Sequence, residues 1–467
     1  MAIDGFLCHE CIGDKFLKSQ IEKDHTAHVC SGCKKNRKAM PLDQLGAALD
    51  EVIRGNFVQV EPNNEWEGGG DDLNWIVQEI LSVEPEIADL VIEALPEEDV
   101  YHILKDGGTP FYDDAAEYRE TPAYDGEYRW TWRAFCHNVK HTARFFSDSA
   151  ESRLREIFHD LDRFHADDGR KPLRLLSPSE NGVNIYRARL AETPLAALPI
   201  VRSAPRELGP PPEKKAVPGR MNPAGIPVFY GALDIETCIS EIRPPVGSLV
   251  VIGTFALLKP LRVLDLTVLD EAYAELSYFA PDFDQVTEQL AFLRSFHAEI
   301  SSPILPSEQV LAFIPTQVIA EFLAHRHEPK LDGVLYTSTQ RSGEGLNIAL
   351  FYHASMVEGS GTEKDEEGDD AVTGELTGDD SFVISEPVKP AAPAPGGRYS
   401  PMPLGFERSL DHPHSDIERQ PTIRLVPESI RMFLVTGTQY KHKNIRITDL
   451  RGFKPGGGAA AVEDVIL

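Results

Sequence analysis

The spacing of apolar residues changes character more than once along the chain. Between positions 46 and 175 it mainly follows the helical period. Trp75, Ile76, Ile80 and Leu81 fall near one stripe behind Asp72, whose carboxylate can cap a first turn, and Pro85 marks an end. Ile87, Leu90, Val91 and Ala94 predict a second short helix. A longer one is expected to start near Ser147 or Ser149 and to carry Leu154, Ile157, Phe158, Leu161 and Phe164. From about Asn184 the texture turns to short β-branched and aromatic runs. Residues 184–190, 226–233, 248–257, 261–266, 333–339 and 346–352 read as strands, with helices expected over Ile235 to Ile242 and near Phe283 to Ile300. Strands and helices mix without a strict βαβ alternation, so the expected fold class is α+β.

Past residue 357 the pattern is lost. Residues 358–380 hold ten acidic residues and one lysine, with a Pro- and Ala-rich run over 387–397 close behind. Such a segment buries too little apolar surface to offset the entropy of ordering it, so 357–397 is expected to be an acidic disordered insertion. Residues 424–437 and 444–450 again read as strand, and 398–467 is expected to complete the preceding domain.

Composition narrows the class. At 467 residues, 42% hydrophobic and 26% charged, the chain has room for two or three domains. It contains no run of eighteen apolar residues that would span a membrane, and its first residues lack a secretory signal pattern. A net charge of -28 repels phosphate backbones and argues against nucleic acid as a general partner. The basic cluster Lys34, Lys35, Arg37 and Lys38 reads as a solvated face beside a metal site.

Four of the six cysteines lie in the first 33 residues as two knuckles, Cys8-His-Glu-Cys11 and Cys30-Ser-Gly-Cys33. Each knuckle lets two thiolates converge on one ion, and two knuckles close a tetrahedral shell suited to Zn2+. With all four positions thiolate, none is left for a catalytic water, so the expected zinc is structural. His9, His25 and His28 are expected to be bystanders, and Ser31-Gly32 to permit the tight turn. Residues 1–45 are thus read as a zinc module and 46–175 as a helical domain. Cys136 and Cys238 are isolated, and that distribution fits a reducing, cytoplasmic setting.

Three further pieces carry candidate chemistry. Arg187 and Arg189 alternate on one strand and so share a face, which is either an exposed strand surface or a cationic site. A loop, Gly219-Arg220-Met221-Asn222-Pro223-Ala224-Gly225, feeds a strand that reaches Tyr230. The Arg220 fork can match two phosphate oxygens, and Tyr230 can stack on a flat ring. Asp234 is the expected cap of the next helix, whose stripe is Ile235, Cys238, Ile239 and Ile242, with Glu241 on its flank. Alone, such a glutamate is more often a solvated helix residue, and Ser338, closing a strand at 332–338, more often structural.

Together these pieces resemble the RES family, named for an arginine, a glutamate and a serine. The resemblance spans roughly Asn184 to Tyr352, with the late strands near Arg424 to Thr448 completing the domain, so 183–356 is read as RES-like. The long N-terminal extension is similar to that of a branch noted alongside the toxin-like HEPN class. The resemblance implies an ADP-ribosyltransferase-like mixed β core. It also implies a toxin that degrades NAD+, with a cognate antitoxin as partner and a role in bacterial defence. Carried over, Arg187 and Arg220 would hold the pyrophosphate and ribose side of NAD+, and Tyr230 would pack against its nicotinamide end. Glu241 would stabilise the cationic sugar and Ser338 would fix the pocket by hydrogen bonding. The sequence departs from the pattern at Met221, where many relatives have tryptophan, and in the long proline-rich spacing between Arg187 and Arg220. Three alternatives stay open: ADP-ribose transfer to a protein or nucleic acid, RNA cleavage by Arg153 and His159, and a non-catalytic zinc-dependent binding protein.

Overall fold

The computed structural model describes residues 5–60, 69–96, 103, 110–113, 116–122, 126–178, 182–302, 304–305, 307–341, 343–360, 373–376, 382–385 and 419–437. The chain opens with β1 (Phe6–Cys8), α1 (Lys15–Asp24), β2 (Ala27–Val29), β3 (Asn36–Pro41) and α2 (Leu42–Asn56). β3 pairs antiparallel with both β1 and β2, setting Cys8 opposite Ala39 and Val29 opposite Asn36. Next come β4 (Phe57–Val60), α3 (Leu73–Leu81), α4 (Pro85–Ile92) and β5 (Glu117–Glu120), with β4 and β5 antiparallel.

Asp72 caps α3 as the sequence predicts, accepting the Trp75 N–H at 2.8 Å. Two details differ. α3 ends at Ser82, whose φ of 51° is left-handed, and Pro85 opens α4 instead of closing α3. A proline loses nothing in a first turn, where its missing N–H would have no helical partner. Trp75 is half exposed, and the buried stripe is Ile76, Val77, Ile80 and Leu81.

The packing cuts across the sequence-based boundary at residue 45. Leu7, Ile21, Leu45, Ile53, Val77 and Tyr118 belong to one core, so the cysteine knuckles and the helices through α4 bury a common face. The later helices of the expected helical domain, α5 (Gly126–His141) and α6 (Asp148–Ile157), pack elsewhere. Their Trp132, Phe135, Leu154 and Phe158 join a core with residues of the second half of the chain. A helical period shows that a face is apolar but not which partner covers it. α6 stops at Ile157, short of the expected length, because Asp160 takes a left-handed φ of 47° before a 3-10 turn over Leu161–Arg163.

A nine-stranded sheet dominates the second half. Its strands are β6 (Leu173–Leu176), β7 (Ile185–Ala191), β8 (Phe229–Ala232), β9 (Leu249–Leu257), β10 (Leu261–Asp265), β11 (Gly333–Thr337), β12 (Leu346–Leu350), β15 (Ile423–Leu425) and β16 (Arg431–Leu434). A separate hairpin, β13 (Thr373–Leu376) with β14 (Phe382–Ser385), lies within the stretch expected to be disordered. The rest of 361–418 and the expected strand at 444–450 lie outside the described residues. The sheet order is β15-β9-β7-β8-β12-β11-β10-β6, with β16 also on β9. All neighbours are antiparallel except β10 and β11, which makes the sheet mixed.

Both faces of this sheet are covered, as the near-continuous apolar run of β9 requires. α7 (Pro194–Arg202) packs Ala197 and Ile200 with Ile185, Val251 and Phe255 on one face. α8 (Ile235–Ile242) packs Cys238 with Ala188, Val250 and Ile252 on the other. Further helices, α9 (Phe283–Ser301) and α10 (Ile314–His325), bring Phe296 and Phe322 against Phe158. The architecture is α+β. β7 and β9 pair over seven residues, from Ile185 opposite Phe255 to Ala191 opposite Leu249. β7 and β8 share a single pair, Tyr186 with Ala232. The sheet therefore opens between β7 and β8.

Candidate active site and metal centre

A cavity of about 410 Å³ lies where β7 and β8 part, lined by Arg187, Arg220, Tyr230, Glu241, Tyr336 and Thr337 among others. That size suits a small-molecule ligand. The side chains around it are held very differently from one another.

Arg187 is only 6% exposed and lies over the Phe229 ring, 4.7 Å from its centroid. Its Nη1 has no hydrogen-bond partner, and no carboxylate pairs with it among the described residues. Burial, with Arg189 next along the face, pushes its pKa well below the usual arginine value. A buried charge without a counterion is costly and calls for an explanation. Arg189 differs. Its Nε donates to the Glu207 carbonyl at 3.0 Å and its Nη2 to that of Gly209 at 3.3 Å. It ties down the turn after α7.

The 219–225 loop is knitted from within. Asn222 is 3% exposed, and its Nδ2 lies 3.0 Å from the carbonyls of Val217, Pro223 and Ile226. The Tyr230 hydroxyl donates to Asn222 Oδ1 at 2.8 Å and accepts the Met221 N–H at 2.9 Å. Gly219 sits so close that a Cβ there would lie 2.7 Å from Asn222 Oδ1 and 2.8 Å from the Tyr230 oxygen. Gln317 of α10 clamps the loop from outside, donating to the carbonyls of Gly219 and Asn222 at 2.9 and 3.0 Å. Arg220 is thereby presented to the cavity, with its Nη2 donating to the Ser302 carbonyl at 2.8 Å. Burial lowers its pKa, against the opposing pull of Tyr336, Tyr230 and Glu241. The Tyr230 hydroxyl is thus committed to shaping the arginine loop.

Glu241 comes from α8, which Asp234 caps by accepting the Thr237 N–H at 2.7 Å. The glutamate is exposed to the cavity, yet its Oε1 is pinned twice. Ser338 Oγ donates to it at 2.7 Å and Asn347 Nδ2 donates to it at 2.7 Å. Ser338 is fully buried and Asn347 is 3% exposed. Asn347 is absent from the sequence-based set. Its only sequence signal is one amide inside the otherwise apolar run 346–350, and its Oδ1 has no hydrogen-bond partner among the described residues.

The four N-terminal cysteines also converge. Cys8 Sγ lies 3.7 Å from the sulfurs of both Cys11 and Cys33, and Cys30 Sγ lies 3.8 Å from Cys11 Sγ. A tetrahedron of Zn–S bonds of about 2.3 Å has an edge of about 3.8 Å, so the cluster fits such an ion. Cys8 and Cys30 are fully buried. Gly32 serves packing more than the turn: a Cβ there would lie 2.6 Å from Ile87 Cδ1. Lys34, at φ 61°, takes the left-handed position of the second knuckle.

Arg153 and His159 are not joined by any hydrogen bond or ion pair among the described residues. His159 lies beyond the end of α6, where Gln289 of α9 donates to its carbonyl at 3.0 Å. None of the helices among the described residues is long and apolar enough to cross a membrane.

Residues 201–367 match the RES domain family, and residues 23–153 match the HEPN/RES N-terminal domain 1 family. The RES match takes in Arg220, Tyr230, Glu241, Ser338 and Asn347 and begins after Arg187. No curated protein and no solved structure matches the chain.

Proposed function

Since the chain carries a RES domain behind a HEPN/RES-type N-terminal region, a family-level setting that is toxin-like and NAD-related, we propose that it is a NAD+ glycohydrolase. The carrying observation is that a buried guanidinium, Arg187, with no carboxylate partner among the described residues, and a doubly pinned carboxylate, Glu241, line the same cavity. NAD+ presents the matching pattern. Its pyrophosphate would supply the charge that Arg187 lacks, with Arg220 as a second cation.

Breaking the nicotinamide–ribose bond leaves an oxocarbenium-like carbon, and nicotinamide departs neutral, so no acid is needed to expel it. The requirement is a fixed negative charge beside the sugar. Ser338 and Asn347 hold Glu241 Oε1 in place before substrate arrives, so little reorganisation is needed during reaction. Glu241 also lies in the last turn of α8, where the helix dipole adds further negative potential. The four-cysteine cluster, which is read as holding one structural zinc, takes no part in the chemistry. The toxin role, with a cognate antitoxin, belongs to the same reading.

The test is nicotinamide release from NAD+ by the wild type and by Glu241→Gln. The expected loss in kcat is about 100- to 1,000-fold, with the KM for NAD+ changed little. Equal rates would remove Glu241 from the reaction. Transfer of ADP-ribose to a protein would appear as nicotinamide release without a matching amount of free ADP-ribose.

A further inference from the structure

Hydrolysis needs a nucleophile as well as a leaving group, and Glu241, with Oε1 already accepting two hydrogen bonds, serves the sugar. A second polar chain reaches the same cavity. His297 of α9 is 3% exposed, and its Nδ1 lies 2.7 Å from Asp270 Oδ2. Its Nε2 lies 3.2 Å from Thr337 Oγ1 and 3.5 Å from the Thr337 backbone nitrogen. Thr337 ends β11 and lines the cavity, and the next residue is Ser338, which holds Glu241.

The partners fix the tautomer. A carboxylate can only accept, so Nδ1 carries the proton. The backbone N–H can only donate, so Nε2 faces it as an acceptor. The remaining contact on Nε2 must then be donated by the Thr337 hydroxyl. The hydroxyl proton points at the imidazole, and its lone pairs are left for a donor in the cavity. These are the roles of an orienting acid, a base and a hydroxyl within hydrogen-bond reach.

We propose that Asp270, His297 and Thr337 form a proton relay that activates the water attacking the ribose carbon, an inference that rests on the glycohydrolase reading. The bond from C1′ to the nicotinamide nitrogen breaks, and its electron pair leaves with nicotinamide. The water oxygen bonds to C1′. The proton lost by that water passes to Thr337 Oγ1, whose own proton passes to His297 Nε2. Asp270 holds the imidazolium until the proton escapes to solvent, which the half-exposed Asp270 side chain meets. The products are nicotinamide, ADP-ribose and one proton. Thr337 is the catalytic residue of the three, and His297 and Asp270 are positioning residues that act through it.

The experiment compares the full-length wild type with Thr337→Val, Thr337→Ser and His297→Gln, each checked for an unchanged melting temperature. Nicotinamide and ADP-ribose are measured with and without sodium azide, an anionic nucleophile that has no proton to lose. The relay predicts roughly 100-fold slower hydrolysis in Thr337→Val and His297→Gln and retained hydrolysis in Thr337→Ser. It also predicts that azide restores nicotinamide release in the two slow variants, with ADP-ribosyl azide as product. A purely structural role would give slow variants that azide does not restore, and that result overturns the relay, as does wild-type hydrolysis in Thr337→Val. If His297→Gln fails to fold, Thr337→Val decides alone. Absence of nicotinamide release from the wild type would instead overturn the glycohydrolase reading on which the relay depends.

Discussion

At the scale of single residues, Arg187 and Glu241 illustrate opposite strategies. Glu241 is exposed to the cavity and held by two donors, whereas Arg187 is buried and left incomplete. An incomplete buried cation lowers the stability of the free protein. Arg187→Met is therefore expected to leave the melting temperature unchanged or raise it, while raising the KM for NAD+ by roughly 10- to 100-fold, the value of a lost bond to a charged group. A thermal melt beside a substrate titration checks both halves, and a large fall in melting temperature would mean that Arg187 is a stabilising core residue. The place of Glu241 on its helix was legible because a capped helix with a clear apolar stripe fixes its flank, whereas its role was implied only by the family resemblance. Asn347 was not, because one amide inside an apolar strand has no periodic signature. His297 was not either: its partners lie 27 and 40 positions away, and only the tertiary fold brings them together. Tyr230 was legible as a cavity residue, but its hydroxyl goes to Asn222 and Met221, contacts made across a loop whose shape no propensity predicts.

At the scale of elements, the cavity follows from strand register. β7 keeps its full pairing with β9 and gives up β8 after one residue pair, which leaves room for a ligand without breaking either half of the sheet. The β-branched and aromatic runs foretell the strands, but register between strands far apart in sequence is set by packing and stays hidden. The start of α8 is the tightest junction near the site. Gly345, at φ 80°, approaches so closely that a Cβ would lie 1.9 Å from Thr237 Oγ1 and 3.1 Å from the capping carboxylate of Asp234. Gly345→Ala combines a left-handed backbone strain with that clash, and is expected to cost at least about 1–3 kcal/mol. It should also displace α8 and with it Glu241. Denaturant unfolding measures the first effect and kcat the second. A fully stable, fully active variant would show that α8 tolerates movement there.

At the scale of the whole molecule, the N-terminal part meets the part that matches the RES family twice: α5 and α6 share its core, and the segment that follows Asp270 bonds to the knuckle region and β5. Lys15 Nζ lies 2.7 Å from Glu275 Oε2, Ser277 Oγ donates to Asp14 at 3.0 Å, and Tyr278 donates to Glu120 at 2.8 Å. The cysteine knuckles were legible because each is local; the family match over residues 23–153 takes in only the second of them. The core these knuckles share with α2, α3 and α4 was not legible, since it depends on which apolar faces meet. One tightly held zinc per chain is expected. Removing it with a chelator should lower the melting temperature markedly, because binding energy at such a site is folding energy. Metal analysis far below one equivalent in protein purified without chelator would contradict a structural zinc.

The most direct test of the central claim is to incubate the purified full-length protein with NAD+ and quantify nicotinamide and ADP-ribose together, with Glu241→Ala alongside. The account predicts equal amounts of the two products from the wild type and a rate at least 100-fold lower from the variant. An unchanged pool of NAD+ with the wild type, or equal turnover by the variant, would contradict it.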